Sequence, residues 1–119
     1  MSLTLYGIPN CDTVKKARVW LDGQGLAYLF HDYKKAGVDE GKLRQWVESA
    51  GWEKVFNRQS TTFRKLPEDQ RIDLDAEKAV AVMLANPSSI KRPIVEGGPD
   101  LLVGFDPGRW TAALAGESR

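Results

Sequence analysis

One segment decides the fold of this chain: Leu3-Thr-Leu-Tyr-Gly-Ile-Pro-Asn-Cys-Asp-Thr-Val-Lys-Lys-Ala17. Leu3 and Leu5 lie on the same face of a short alternating run, which is the pattern of a strand. From Thr13 onward the apolar residues fall three and four positions apart, which is the spacing of a buried helix face. The segment therefore predicts a strand, a turn and a helix in direct succession.

Cys11 is the only cysteine, and it stands in the turn directly before this helix. The first turn of a helix carries unpaired backbone N–H groups and a partial positive charge, and both favour a thiolate over a thiol. The neighbours Asn10 and Thr13 are polar, which argues against the alternative of a buried, inert cysteine. We therefore expect Cys11 to be the nucleophile. Asn10 and Thr13 would orient groups at the helix entrance, and Lys15 and Lys16 would lower the pKa of the thiol further.

The rest of the chain shows further helix and strand patterns, separated by glycine, proline and capping aspartate residues. The first helix is predicted to end at Gly23, and a strand over 28–33 and a helix between Asp39 and Gly51 follow it. The next predicted elements are a polar loop with at most one helical turn over 52–66, a short turn opened by Pro67, and a helix between Asp73 or Asp75 and Asn86. The chain then forms a hairpin of strands 93–96 and 101–103 and a helix after Asp106-Pro107. Asp12 or Thr13 is expected to cap the first helix, and residues 116–119 are expected to fray.

This order of elements predicts the sheet. A strand, a helix and a strand in succession need a right-handed crossover, which makes the first two strands parallel. The late hairpin is antiparallel to itself. The expected architecture is a single α/β domain over residues 1–119, with a mixed four-stranded sheet and helices on its faces.

Composition excludes several classes of protein. The 17 basic and 16 acidic residues give a net charge of +1, unlike the basic surface of a nucleic-acid-binding protein. One cysteine excludes an internal disulfide. The only histidine, His31, lies in a predicted strand and is expected to be structural. One cysteine and one histidine cannot form a conventional zinc site. No apolar run approaches the roughly 20 residues of a membrane span, and no signal peptide is recognised. We therefore expect a cytoplasmic monomer without a metal, membrane or nucleic-acid partner.

The residues after Cys11 limit the thiol chemistry. A phosphatase-like loop needs an arginine at the sixth position after the cysteine, where this chain has Ala17. A thioredoxin-type Cys-x-x-Cys pair is absent, because Val14 occupies the position of the second cysteine. A lone thiol can form a mixed disulfide but needs an external thiol to resolve it. Glutathione is the abundant candidate, so we expect it as a co-substrate and no bound cofactor.

A second candidate site is the run Lys91-Arg92-Pro93-Ile94. Pro93 suits the start of an edge strand, whereas a cis bond before it would present the backbone of Arg92 beside the thiol. Only about 5–6% of X–Pro bonds in folded proteins are cis, so both conformations stay open. The Arg92 guanidinium suits a two-pronged hydrogen bond to an oxyanion or a carboxylate. Arg58 and Arg64, in a polar stretch, are candidates for further anion contacts.

Six sequence motifs are distributed over nearly the whole chain: Leu5-Tyr-Gly-Ile-Pro-Asn-Cys-Asp-Thr-Val-Lys-Lys-Ala-Arg18, Phe30-His-Asp-Tyr33, Gly51-Trp52, Thr61-Thr-Phe-Arg-Lys-Leu66, Ile90-Lys-Arg-Pro-Ile94 and Leu102-Val-Gly-Phe105. In the order and spacing of these motifs the chain resembles the arsenate reductase (ArsC)/Spx family of thioredoxin-like proteins, most closely its small YffB-like branch. The resemblance implies a thioredoxin-like fold with a mostly helical insertion at about 36–87. It also implies that Cys11 is the redox-active thiol, that Arg92 lies near it, and that Pro93 is the cis-proline of the fold.

Three departures from the family pattern bear on activity. Glutathione-coupled arsenate reductases of this family have a histidine four residues before the cysteine, where this chain has Gly7. Of the three arginines that those enzymes place around the oxyanion, Arg92 matches one, Arg58 lies near the second, and the third falls at about Gly104. Spx-type regulators commonly use a Cys-x-x-Cys switch, which Val14 removes.

The function predicted on this basis is that of a glutathione-dependent thiol–disulfide reductase. Cys11 and Arg92 are the expected catalytic residues, and the expected glutathione- or substrate-binding residues are Asn10, Thr13, Lys15, Arg58, Arg64 and Pro93. Glutathione, glutaredoxin or a disulfide substrate is the expected partner. Two alternatives stay open, namely glutaredoxin-coupled arsenate reduction on the same scaffold and a non-enzymatic, Spx-like domain that binds RNA polymerase.

Overall fold

The computed structural model describes residues 2–115, so the fraying predicted for residues 116–119 concerns residues outside the described range. The chain divides into two compact units. The first unit joins the chain up to Ala36 with the chain from Arg92 onward, and the second runs from Gly37 to Lys91. None of the helices formed by residues 2–115 has the length and hydrophobicity that a bilayer crossing requires.

The first unit contains a four-stranded mixed sheet. Its strands are β1 (Leu3–Gly7), β2 (Tyr28–Asp32), β3 (Ile94–Glu96) and β4 (Leu102–Val103), in the spatial order β2-β1-β3-β4. β1 pairs in parallel with β2 and in antiparallel fashion with β3, and β4 is antiparallel to β3. Leu5 in β1 is opposite Phe30 on one side and Val95 on the other. The α/β fold class predicted from the sequence is confirmed.

Helix α1 (Asp12–Gly23) buries the face that its apolar spacing predicts, and Val14, Ala17 and Leu21 have no exposed surface. They share one core with sheet residues and with the end of the described chain: Leu3, Leu5, Val95, Leu102, Trp110 and Leu114. Burial of one large aliphatic side chain stabilises a fold by about 1.5–3 kcal/mol. The helix ends at Gly23, and Gly25 follows with φ +69, a conformation that glycine adopts without strain.

Cys11 occupies the N-cap position of α1, so the prediction that Asp12 or Thr13 caps this helix is wrong. Cys11 has an extended backbone, with φ −130 and ψ 124, and its carbonyl oxygen accepts a hydrogen bond from Lys15 N at 2.9 Å. Its side chain makes no capping hydrogen bond, because sulfur is a larger and weaker acceptor than the oxygen of a usual cap. Asp12 and Thr13 are helical residues instead.

Strand β2 ends one residue earlier than predicted, because Asp32 turns the chain. Its Oδ1 accepts hydrogen bonds from the backbone N–H groups of Lys34 at 3.1 Å and Lys35 at 3.2 Å. Such a carboxylate competes with the strand ladder for backbone donors and starts the short helix α2 (Tyr33–Ala36). Tyr33 is therefore the first helical residue and not the last strand residue, and it is completely buried.

The second unit is helical. Its elements are α3 (Glu40–Ala50), α4 (Trp52–Val55), α5 (Thr61–Lys65), α6 (Glu68–Ile72), α7 (Ala76–Ala85) and a 3₁₀ turn (Pro87–Ser89). Asp39 caps α3, as predicted, and of the two candidates Asp73 and Asp75 it is Asp75 that caps α7. The prediction of a loop with at most one helical turn over 52–66 is wrong, because two short helices, α4 and α5, form there. Ser60 Oγ caps α5 by accepting Phe63 N–H at 3.2 Å. Pro67 is the N-cap of α6, not its first residue.

The described chain ends in helix α8 (Pro107–Trp110), which continues as a π-helical turn over Thr111–Ala115. Asp106 caps α8, since its Oδ1 accepts two backbone N–H groups of the first turn. Trp110 is buried and donates its Nε1–H to the carbonyl oxygen of Gly104 at 3.0 Å. The helix predicted after Asp106-Pro107 is confirmed, with Asp106 as its cap and Pro107 as its first residue.

Candidate active site

Cys11 lies directly between β1 and α1, at the junction that the sequence predicts. The residue is half-buried at the edge of the core. The backbone N–H groups of Val14 and Thr13 favour the ionised form of its Sγ atom and lower the pKa of the thiol. The start of α1 therefore directs its unpaired donors at the sulfur, as a helix N-terminus does for an anion.

Two side chains from other parts of the first unit meet at the thiol. The Arg92 guanidinium forms hydrogen bonds with Cys11 Sγ and with the Tyr33 phenol oxygen. Because a guanidinium can only donate, the sulfur and the phenol oxygen are the acceptors. Arg92 is half-buried and Tyr33 completely buried. The site is thus a chain of three groups, with the cation in the middle.

The peptide bond between Arg92 and Pro93 is cis, as the family resemblance implies. Pro93 is buried and immediately precedes β3. Its carbonyl oxygen accepts the backbone N–H of Gly104 at 2.8 Å, and the Gly104 carbonyl accepts the indole N–H of Trp110. The backbone that carries Arg92 is therefore anchored to the core of the first unit.

The surroundings of Cys11 favour its ionised form. Burial raises the pKa of the thiol, but the Val14 N–H, the hydrogen bond and charge of Arg92, and the Thr13 N–H together hold the pKa below its ordinary value of 9.0. Burial lowers the pKa of Arg92, but its contacts with Cys11 and Tyr33 raise that pKa overall, so the guanidinium stays charged. Burial raises the pKa of Tyr33 above its usual range despite the opposing effect of Arg92, so the phenol stays neutral.

The remaining candidate ligands are surface residues. Asn10, Thr13 and Lys15 are exposed in the first unit, within four residues of Cys11 along the chain. Arg58 and Arg64 are exposed in the second unit, Arg58 between α4 and α5 and Arg64 on α5. Their roles in binding stay predictions. Across residues 2–115, no group of three or more histidine, cysteine, aspartate or glutamate side chains is placed to hold a metal ion.

Tyr33 is the site residue that the sequence alone does not single out. It belongs to the motif Phe30-His-Asp-Tyr33, but a tyrosine after a strand carries no functional signal of its own. The sequence feature that could have identified the position of Tyr33 is Asp32, a turn-forming residue that ends the strand and starts the helix to which Tyr33 belongs. His31 of the same motif lies beside Tyr6, with ring centroids 5.0 Å apart, on neighbouring strands.

By the family resemblance, Gly7 stands where glutathione-coupled arsenate reductases have a histidine, and Gly104 lies at about the position of their third arginine. Gly7 is buried, and a Cβ atom at Gly7 would lie 2.9 Å from Cγ2 and 3.2 Å from Cγ1 of Val14. Gly104 has φ +79, in the left-handed region that side-chain-bearing residues rarely adopt. A histidine at Gly7 would therefore require Val14 to move, and an arginine at Gly104 would have a strained backbone.

A thiol at the N-terminus of the first helix, together with a cis-proline that leads into an antiparallel hairpin, is the arrangement of the thioredoxin-like class. Within that class the chain belongs to the ArsC family, whose sequence profile matches residues 6–113. The structure of a protein named YFFB is similar to this one. It shares 56% identity with a TM-score of 0.88, and the match covers 94% of this chain and 98% of that chain.

Two further proteins are similar over nearly the whole chain. An arsenate reductase (ArsC) related protein from Brucella melitensis shares 53% identity with a TM-score of 0.78, covering 94% of this chain and 93% of that chain. An uncharacterized protein of Haemophilus influenzae is 42% identical over 113 residues, which is 95% of this chain and 99% of that protein. The family assignment therefore extends to both units.

Proposed function

We propose that this protein is a glutathione-dependent thiol–disulfide reductase with Cys11 as its single nucleophile. The observation that carries the proposal is the contact of Cys11 Sγ with the Arg92 guanidinium and with the N–H groups that begin α1. Both contacts favour the thiolate, which is the reactive form of cysteine. Membership of the ArsC family supports a redox role, because a similar member is named as an arsenate reductase related protein.

The proposed reaction consists of two thiol–disulfide exchanges. The Cys11 thiolate attacks the glutathionyl sulfur of a substrate R–S–SG, so that the substrate S–S bond breaks and a Cys11–S–SG bond forms. The substrate leaves as a thiolate and takes up a proton. A glutathione thiolate then attacks the glutathionyl sulfur, which releases oxidised glutathione and regenerates the Cys11 thiolate. The net reaction is R–S–SG + GSH → R–SH + GSSG.

The groups around the thiol match the chemistry of glutathione, a peptide with two carboxylates. Arg92 has five N–H donors, so those that do not contact Cys11 or Tyr33 bind a carboxylate, and Lys15 adds a positive charge. The backbone of Arg92 beside Pro93 pairs with the peptide, while Asn10 and Thr13 orient it at the helix entrance. This chemistry needs reduced glutathione, so we also propose a cytoplasmic location.

The direct test is the mixed disulfide itself. Wild-type protein treated with oxidised glutathione is expected to gain one glutathionyl group by intact mass, and excess reduced glutathione should remove it. Cys11→Ser is expected to gain none. Arg44→Ala, which removes an exposed arginine of α3, is the matched control and should gain the group like wild type. Wild-type protein that stays unmodified would refute the mechanism.

Turnover separates an enzyme from a protein that is merely glutathionylated. Release of free thiol from a glutathionylated peptide should depend on wild-type protein and glutathione and should be lost in Cys11→Ser. Arg58→Ala and Arg64→Ala test whether these arginines contact the anion, because loss of such a contact raises KM. A KM that is unchanged in both variants would remove them from the site.

Arsenate reduction is the alternative activity, since the Brucella melitensis relative carries that reaction in its name. The tight packing at Gly7 and the positive φ of Gly104 count against it. Glutaredoxin-coupled turnover of arsenate that disappears in Arg92→Ala would establish it in place of our proposal. Recovery of RNA polymerase with both wild-type and Cys11→Ser protein, without any turnover, would establish the regulator instead.

A further inference from the structure

We propose that Tyr33 is a positioning residue for this chemistry: its buried phenol oxygen holds the Arg92 guanidinium against Cys11 Sγ. The inference rests on the proposed function, because it assigns Tyr33 a role in preparing the same thiol. Two observations carry it. The phenol and the sulfur are hydrogen-bonded to one guanidinium, and Tyr33 has no exposed surface although its neighbours Lys34 and Lys35 are exposed.

The fold fixes the phenol in place. β2 runs parallel to β1, and Asp32 at its end pairs with Gly7 at the end of β1, just before the loop that carries Cys11. Asp32 Oδ1 then binds the N–H groups of Lys34 and Lys35 and turns the chain into α2. Because the ring of Tyr33 is buried at this turn, its oxygen has little freedom to move away from Arg92.

A neutral acceptor suits this position better than a charged one. An arginine side chain has several rotatable bonds, so an unheld guanidinium spends much of its time away from any one partner. A carboxylate would hold it, but would also neutralise the charge that the thiolate needs. The Tyr33 phenol is kept neutral by burial, so it orients the guanidinium and leaves the positive charge available to the sulfur.

Other charged groups also act on the site and must stay constant in a test. Asp32 acts on Tyr33, and the first turns of α1 carry Asp12, Lys15 and Lys16, all exposed. A substitution that removes only the phenol oxygen leaves these groups unchanged. Tyr33→Phe meets this requirement, because phenylalanine keeps the buried ring.

The experiment measures the pH dependence of Cys11 alkylation by iodoacetamide, followed by intact mass, in wild type and Tyr33→Phe. We expect the apparent thiol pKa to be higher in Tyr33→Phe, so that alkylation below the wild-type pKa slows by roughly 3- to 10-fold. The matched control is Tyr28→Phe. Tyr28 also accepts a hydrogen bond from an arginine, Arg18 Nε at 3.0 Å, and its loss should leave the profile unchanged. Thermal unfolding confirms that both variants are folded.

A double-mutant cycle separates positioning from a general structural effect. If Tyr33 acts through Arg92, then Tyr33→Phe should shift the profile in the wild-type background and not in the Arg92→Ala background. A folded Tyr33→Phe protein with the wild-type profile would overturn the proposal, as would a full shift that persists without Arg92. Failure of the proposed function looks different: wild type would form no mixed disulfide with glutathione, while the alkylation profiles would still decide the role of Tyr33.

Discussion

Gly7 on β1 and Val14 on α1 are in contact so close that no side chain fits between them. A Cβ atom at Gly7 would come within 2.9 Å of Val14 Cγ2, and Val14 itself is completely buried. This contact sets the distance between the end of the strand and the start of the helix. Cys11 lies in the loop that joins the two.

Gly7→Ala is expected to destabilise the protein by about 1–3 kcal/mol, because the added methyl group overpacks a closed part of the core. Chemical denaturation measures the effect. Gly23→Ala is the control and should have little effect, since a Cβ atom there meets nothing within 4 Å. In a Val14→Ala background the cost of Gly7→Ala should fall. Equal costs in both backgrounds would show that Val14 is not the obstacle.

The thiol makes stability depend on pH, with a sign that follows from its lowered pKa. The unfolded thiol has the ordinary pKa of 9.0 and the folded thiol a lower one. The ionised thiol therefore stabilises the fold fully above about pH 9, and this contribution is lost as the pH falls through the folded pKa. The free energy of unfolding of wild type relative to Cys11→Ser should thus rise with pH toward 9.0. A difference that is constant over this range contradicts the lowered pKa.

Replacement of Arg92 tests charge and geometry separately. Arg92→Ala removes both and is expected to slow glutathionylation of Cys11 near neutral pH by about 10-fold, the size expected for one charge-assisted hydrogen bond. Arg92→Lys keeps a charge but lacks the fork that reaches Cys11 and Tyr33 together. Its rate of glutathionylation should therefore lie between the rates of wild type and Arg92→Ala. Arg109→Ala, an exposed arginine of α8, provides the control. Equal rates for wild type and Arg92→Ala would exclude a role of Arg92 in ionising the thiol.

Gly104→Ala is expected to cost about 1–2 kcal/mol, because its φ of +79 is unfavourable for a residue with a Cβ atom. The backbone there cannot simply relax, since its N–H is bound to Pro93 O and its carbonyl to Trp110 Nε1. Thermal or chemical unfolding measures the loss. Gly108→Ala, at a helical glycine with only an ordinary contact at 3.4 Å, should be nearly neutral. Comparable losses at the two sites would argue against backbone strain at Gly104.

Local patterns predicted most of the fold correctly. The alternation in β1 and the apolar spacing in α1 each depend on residues that are close in sequence, and the same is true of the aspartate caps of α3, α7 and α8. The prediction failed over 52–66, because α4 and α5 are only four and five residues long. Helices this short show no full apolar period.

The candidate site divides in the same way. Cys11 was identifiable because a helix N-terminus acts on a residue beside it in the chain, and Arg92 because it precedes a proline in a family motif. Tyr33 was not identifiable from the sequence, because its role depends on the side chain of Arg92, which is distant in sequence. A buried tyrosine in a core and a buried tyrosine bound to an arginine have the same local pattern.

The sequence by itself determined the order of the strands and the longer helices and the position of the single thiol at the start of α1, since short-range hydrogen bonding and apolar periodicity govern both. Only the tertiary structure decided that Tyr33 joins Arg92 at that thiol and that Gly7 closes against Val14. Strand pairing and core packing create these contacts between segments far apart in the chain, and no pattern of neighbouring residues encodes the distance between them.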